Sequence, residues 1–180
     1  LGNAGVIEAV ASMVLPCPLV VDPVMISKHG TPLLDASARD VLVRRLLPKA
    51  FLVTPNGPEA EALSGRAVRN VEDAVAAARI IADLGPEAVL VKGGHLDDQS
   101  HATDVLFVKG VVERLVSPRI VTRAGHGTGC SLAAAITARL AQGDAVHDAV
   151  RRAKAWLTQA LATAPAIGRG ISPVNHFAPT

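Results

Sequence analysis

The stretch Gly125-His126-Gly127-Thr128-Gly129-Cys130-Ser131, followed by Leu132-Ala133-Ala134-Ala135-Ile136-Thr137-Ala138-Arg139-Leu140, decides how this chain is to be read. Leu132, Ile136 and Leu140 recur at four-residue spacing among alanines, which predicts a close-packed helix from about Thr128 to Gln142, stopped by Gly143. A glycine-rich loop that feeds a helix aims the amides of the first turn at whatever lies in front of it. Gly127 and Gly129 remove the side chains that would hold an anion off, Thr128 can cap or donate, and the helix dipole adds positive potential. Cys130 stands inside that field, where a thiolate is favoured. A base beside an anion cradle points to phosphoryl transfer. The ordinary alternative is a glycine-rich helix start with a packed cysteine, so the rest of the chain has to decide.

Working outward, three short apolar runs end in polar residues. Leu19-Val20-Val21 reads as a buried strand that delivers Asp22 to its C-terminal end, where a parallel sheet binds ligands. Residues 50–53 read as a second strand, ending in Thr54-Pro55-Asn56-Gly57-Pro58-Glu59. A helix starting near Pro58 would turn Asn56 and Glu59 toward one pocket, and an amide with a carboxylate suits a hydrated Mg²⁺. Ala88-Val89-Leu90-Val91 is the clearest strand, and Lys92-Gly93-Gly94-His95 follows it directly. A lysine there can reach a phosphate oxygen while the glycines let backbone come close. Each has a structural alternative: Asp22 as a turn aspartate, Glu59 as a first-turn acid, Lys92 as part of a surface turn. Three strand ends in succession favour the functional reading.

Between these runs, Val6, Ile7, Val10 and Val14 predict one face of a first helix ended by Pro16 and Pro18. Residues 34–47 predict a helix capped by Asp35, and 71–84 an alanine-rich helix closed by Gly85-Pro86. Lys28, His29 and Gly30 read as a loop, with His29 on the surface. Residues 104–108 and 111–116 predict a hairpin turning at Lys109-Gly110, an antiparallel edge on a mostly parallel sheet. Residues 144–162 predict a long helix carrying Lys154 and Trp156. The tail from Gly168 to His176 is too rich in glycine and proline for regular structure.

Bulk composition narrows the classes. The 180 residues are 49% hydrophobic, enough for one domain or part of one. Eighteen basic residues are spread against 16 acidic ones, and aromatics make up 2%, so nucleic acid is not an expected partner. Cys17 and Cys130 form neither a metal pair nor a disulfide framework, which fits a reducing cytoplasm. No apolar run is long enough to span a membrane and no export signal is seen.

Taken together, Val21-Asp22-Pro23-Val24-Met25, Thr54-Pro55-Asn56-Gly57-Pro58-Glu59-Ala60-Glu61, Val91-Lys92-Gly93-Gly94-His95, His126-Gly127-Thr128-Gly129-Cys130-Ser131-Leu132 and Pro173-Val174-Asn175-His176 resemble hydroxymethylpyrimidine/phosphomethylpyrimidine kinase, a thiamine-pathway family of the ribokinase-like superfamily. The resemblance implies a three-layer α/β/α fold and phosphorylation by ATP and Mg²⁺ of 4-amino-5-hydroxymethyl-2-methylpyrimidine and then of its monophosphate. It implies Cys130 as catalytic base, Lys92 as the cation on phosphate, and Gly127, Thr128 and Gly129 as anion hole. Asp22, Asn56 and Lys154 would serve the nucleotide and its phosphates, Asp22 and Glu59 the Mg²⁺, and Val24 the pyrimidine ring. The family pattern opens with a Gly-Gly-rich segment, a substrate-contacting aspartate and a pyrimidine-reading glutamine. Nothing here corresponds to it; Leu1-Gly2-Asn3-Ala4 matches a point well inside the pattern. The family also more often has asparagine and threonine in the stretch Thr122-Arg123-Ala124-Gly125. The expectation is thus an N-terminally truncated domain whose exposed sheet edge favours self-association, for instance as a homodimer. Competing readings are a pyridoxal kinase of the cysteine-containing type and a phosphate-binding remnant without kinase activity.

Overall fold

The computed structural model describes residues 1–25, 33–96, 100–167 and 169–179. Lys28, His29, Gly30 and Gly168 lie outside them. The chain divides into two compact units, one formed by Leu1–Asp98 and Thr103–Leu115, the other by Gln99–Ala102 and Val116–Thr180.

In the first unit, α1 (Ala4–Ser12) is capped by Asn3, whose side chain accepts from the Val6 amide at 3.0 Å. Its buried residues are Ile7 and Ala11, while Val6 and Val14 are 46% and 97% exposed. The expected Val6–Val14 face is therefore corrected: the helix ends at Ser12 and Met13 is extended, so Val14 falls off the helical repeat. After β1 (Val20–Val21), α2 (Ala36–Val41) begins at Asp35, which accepts from the Ala38 amide at 2.7 Å. The helix expected over 34–47 does not stay α-helical. It widens into a π-helical stretch, Leu42–Leu46, and tightens into a 3₁₀ turn, Leu47–Lys49, around Pro48, which has no N–H to continue the ladder.

Strands β2 (Leu52–Val53) and β3 (Ala88–Val91) follow, separated by α3 (Gly57–Ser64) and α4 (Val71–Ala82). β1 pairs with β2, and β2 with β3, in parallel, through Val20 opposite Leu52 and Leu52 opposite Ala88. All four residues of β3 are buried, the continuous apolar pattern of a strand covered on both faces. β4 (His101–Val108) runs antiparallel to β3, and β5 (Val111–Pro118) lies beside it at the end of the order β1-β2-β3-β4-β5. Both strands are longer than the sequence predicts. Between them Lys109 and Gly110 have φ of 47° and 86°, the left-handed pair that a two-residue hairpin needs. The core of this unit joins Ile7, Val21, Leu42, Leu46, Val53, Ile81, Val89 and Val105, all buried.

The second unit holds α5 (Thr128–Ala141) and α6 (Val146–Ala162), which pack on each other. α5 stops at Gln142 and Gly143, φ 91°, as its sequence predicts. The tail forms no helix or strand among its described residues. It is pinned instead: Pro173 bridges His126, Ser172 N–H donates to Arg123 O at 3.0 Å, and Val174 and Ala178 pack with Ala160 of α6.

Candidate active site

In a parallel sheet the C-terminal ends of neighbouring strands fall on one edge, so β1, β2 and β3 bring Asp22, Thr54 and Lys92 together although up to 70 residues separate them. Asp22 Oδ1 accepts from Lys92 Nζ at 2.7 Å and from Thr54 Oγ1 at 2.9 Å. The side chains of Lys92 and Asp22 are only 12% and 15% exposed, so the pair is largely withdrawn from solvent while its edge remains reachable. Such charge-assisted contacts fix the position of the ammonium. Thr54, fully buried, is a member of this cluster that sequence reasoning passed over; its signal was its position directly after β2. Val24 stands 38% exposed just beyond Asp22, with its N–H donated to Asp22 O at 2.9 Å.

Asn56 and Glu59 form the start of α3, the first-turn role that the sequence offers Glu59 as its structural alternative. Asn56 is the N-cap of α3: its Oδ1 accepts from Glu59 N–H at 2.9 Å, and Glu59 Oε2 accepts from Asn56 N–H at 2.8 Å. This reciprocal capping box satisfies two amides of the helix start. Glu59 is 2% exposed. Burial pushes its carboxyl above the ordinary 4.5, opposed by the Asn56 amide bond and by nearby Lys92. Among the described residues no group of three or more His, Cys, Asp or Glu side chains is placed to cage a metal. Carboxylate oxygens are the donors that a hydrated Mg²⁺ takes, and Asp22 and Glu59 are the two carboxylates that the sequence puts forward for it.

The turn after β3 is held from two sides. Lys92 N–H donates to Pro55 O at 2.8 Å, and Gly93 N–H to the buried carboxylate of Asp104 at 2.6 Å. Gly93 lies so close to Thr103 that an added Cβ would stand 1.9 Å from its carbonyl oxygen, whereas a Cβ on Gly94 would meet nothing within 4 Å. Only the first glycine of the pair is demanded by close approach. Asp104 carries no sequence signal, because its partner lies across a turn in another strand.

In the second unit, α5 starts at Thr128 as its sequence predicts, and Gly127, with φ 76°, is its N-cap, so of the two roles open to Thr128 capping falls to Gly127. A left-handed conformation there suits glycine, and no side-chain oxygen caps the helix start. The first helical bond runs from Ser131 N–H to Gly127 O, 2.8 Å. Cys130 is exposed in this first turn. With Ser131, Ala134, Ala135, Trp156 and His176 it lines a cavity of ≈ 350 Å³, at whose edge Ser131 Oγ lies 3.1 Å from His176 Nε2. Lys154, expected at the nucleotide, is 8% exposed on α6 and donates to Ala102 O at 2.9 Å.

Residues 1–175 match the family described as phosphomethylpyrimidine kinase. This chain belongs to that family. Among its relatives are a thiamine biosynthesis bifunctional protein of Geobacter sulfurreducens, 49% identical over 88% of this chain and 32% of its own length, and a hydroxymethylpyrimidine/phosphomethylpyrimidine kinase of Staphylococcus aureus, 44% identical over 89% and 59%. The chain thus spans about a third to three fifths of the length of these two relatives. A solved pyridoxal kinase of Bacillus subtilis in an ADP complex is 35% identical, with TM-score 0.91 over 99% of this chain and 68% of that one. The fold is therefore ribokinase-like α/β, and the phosphomethylpyrimidine kinase family consists of phosphotransferases acting on small molecules. No helix among the described residues is long and apolar enough to cross a membrane.

Proposed function

We propose that this phosphomethylpyrimidine kinase chain carries the phosphate-handling part of an ATP-dependent kinase for hydroxymethylpyrimidine and its monophosphate. The observation that carries the proposal is the Asp22–Lys92 pair, 2.7 Å apart at adjoining strand ends, in a family whose relatives bear that activity in their names.

Lys92 neutralises charge on the phosphates, and Asp22 keeps the ammonium aimed until an anion competes for it. Bound Mg²⁺ would supply further charge neutralisation there; Asp22 would hold it, with Glu59, which together with Asn56 fixes the start of α3, as the second candidate carboxylate. The amides of Gly127, Thr128 and Gly129 serve as the anion hole, with a glycine N-cap that leaves no side chain in the way. Cys130 takes the proton from the substrate hydroxymethyl group in the first phosphorylation. The second acceptor is already an anionic phosphate and needs no base. Val24 contributes an apolar contact to the ring, and Lys154 joins the nucleotide contacts. Positioning and electrostatics supply most of the rate, as in phosphoryl transfer generally.

A pyridoxal kinase reading is favoured by one observation, the 0.91 TM-score to the Bacillus subtilis enzyme. The test is turnover of ATP and Mg²⁺ with hydroxymethylpyrimidine and with pyridoxal in parallel, using Cys130→Ala as control. Cys130-dependent turnover preferring the pyrimidine supports the proposal. Preference for pyridoxal replaces it with the second reading. Nucleotide binding without any turnover refutes catalysis by this chain and leaves a binding remnant.

A further inference from the structure

The turn that presents Lys92 is fixed by a residue that the proposed chemistry does not use. Asp104 is 5% exposed near the start of β4, and its Oδ1 accepts from Gly93 N–H at 2.6 Å. A buried side-chain oxygen that accepts from a backbone amide in a neighbouring turn ties that turn to the strand carrying it, because a buried polar group left unbonded is costly. The neighbouring residue acts on the same glycine: Thr103, 7% exposed, puts its carbonyl where a Gly93 side chain would stand. On the other side Lys92 N–H is held by Pro55 O at 2.8 Å, and Lys92 bridges Asn56 in parallel register. Two consecutive amides are thus clamped by two different neighbours, β4 on one side and the β2–α3 junction on the other. The side chain leaving this clamp is the ammonium on Asp22.

We propose that Asp104 is a positioning residue: by gripping the Gly93 amide it fixes the backbone from which Lys92 reaches phosphate, and so sets affinity for a nucleotide's phosphates without touching them. Fixing the lysine stem before binding removes ordering cost from the bound state. The proposal rests on Lys92 binding phosphate, as argued above, and deepens it by naming what aims the lysine. Its chemistry is specific. The Gly93 amide needs an acceptor oxygen, not a negative charge, so asparagine can serve where alanine cannot.

The experiment measures binding of a non-hydrolysable ATP analogue with Mg²⁺ by calorimetry, on the full chain and on Lys92→Ala, Asp104→Ala, Asp104→Asn and the Lys92→Ala/Asp104→Ala double variant. Asp104→Ala is expected to weaken binding about tenfold, equivalent to about 1.4 kcal/mol. Asp104→Asn should stay within about twofold of the parent, and Asp104→Ala should add nothing once Lys92 is gone, the coupling expected of residues that act as a unit. A purely structural aspartate could also be rescued by asparagine, but it would not produce the coupling to Lys92. The proposal is overturned if Lys92→Ala weakens binding and Asp104→Ala does not, or if the Asp104→Ala loss persists in full without Lys92. If Lys92→Ala itself binds normally, the phosphate reading of Lys92 fails and takes this inference with it. Hydrogen exchange at the Gly93 amide gives a check that needs no variant. Slow exchange without nucleotide is expected, and fast exchange overturns the clamp.

Discussion

Replacing Gly93 by alanine and Gly94 by alanine should give very different proteins, although the two glycines are adjacent and look alike in sequence. At Gly93 the new methyl would lie 1.9 Å from Thr103 O and 2.4 Å from Thr103 C, about 1.5 and 1.0 Å inside the 3.4 Å at which ordinary contact begins. Neither side can give cheaply. Thr103 belongs to β4, and Gly93 is held by Asp104 and follows β3, which pairs with β4 from Ala88 opposite Val108 to Val91 opposite Val105. Overpacking of a tight site costs roughly 1–3 kcal/mol, and a clash against backbone on both sides belongs at the upper end, about 3 kcal/mol. With a urea m-value of roughly 2 kcal/mol/M, the unfolding midpoint should fall by about 1.5 M. Gly94→Ala meets open space and should move the midpoint by less than about 0.3 M, the range of ordinary surface changes. The assay is urea unfolding followed by circular dichroism, with ATP-analogue binding on whatever remains folded. Equal midpoints for the two variants would refute the close-approach argument.

Three further outcomes follow from the same geometry. Because burial raises the Glu59 carboxyl above 4.5, the folded chain holds its proton where the unfolded chain has lost it; stability therefore falls as pH rises through that window. Glu59→Gln keeps an acceptor for the Asn56 amide without the charge, so it should melt higher than the parent at pH 8, with the gain fading below pH 4.5; a lower melting point at pH 8 would contradict this. Cys130→Ala should slow phosphorylation of hydroxymethylpyrimidine far more than that of its monophosphate, by roughly 10²-fold or more for loss of a general base, and equal loss in both steps would count against Cys130 as the base. In a Cys17→Ser background, alkylation of Cys130 with a bulky maleimide should change the emission of Trp156, the single tryptophan, since both line the same cavity; unchanged emission would place them apart.

Much of the scaffold could be read from the chain because its signals are local. A four-apolar run such as 88–91 has few ways to bury itself other than as a central strand, and Asp35 and Gly143 sit where helix ends need a cap or a left-handed backbone. The same holds for the Lys109-Gly110 turn. At one place two local rules coincide. Asn56 and Glu59 are three residues apart at a helix start, which serves a pocket or a capping box equally well by spacing. With Glu59 buried, the box satisfies the Asn56 and Glu59 amides, a pairing that spacing alone does not reveal.

What sequence by itself determined was therefore the order of elements, the residues at each strand end and the family likeness, since periodicity, caps and motifs are properties of neighbouring residues. Tertiary structure alone decided which of those residues work together. Asp22 meets Lys92 because two short strands register in parallel on β2, 70 residues of chain notwithstanding. Gly93 must be glycine, and Gly94 need not be, because β4 returns antiparallel along β3 and brings the Thr103 carbonyl against one of them. Asp104 acquires a partner by that same return, and Lys154, whose helical position was plain, is turned onto the Ala102 carbonyl. These contacts join residues far apart in the chain, and only the packing of the folded chain, which buries apolar surface and must satisfy every polar group it buries, selects them.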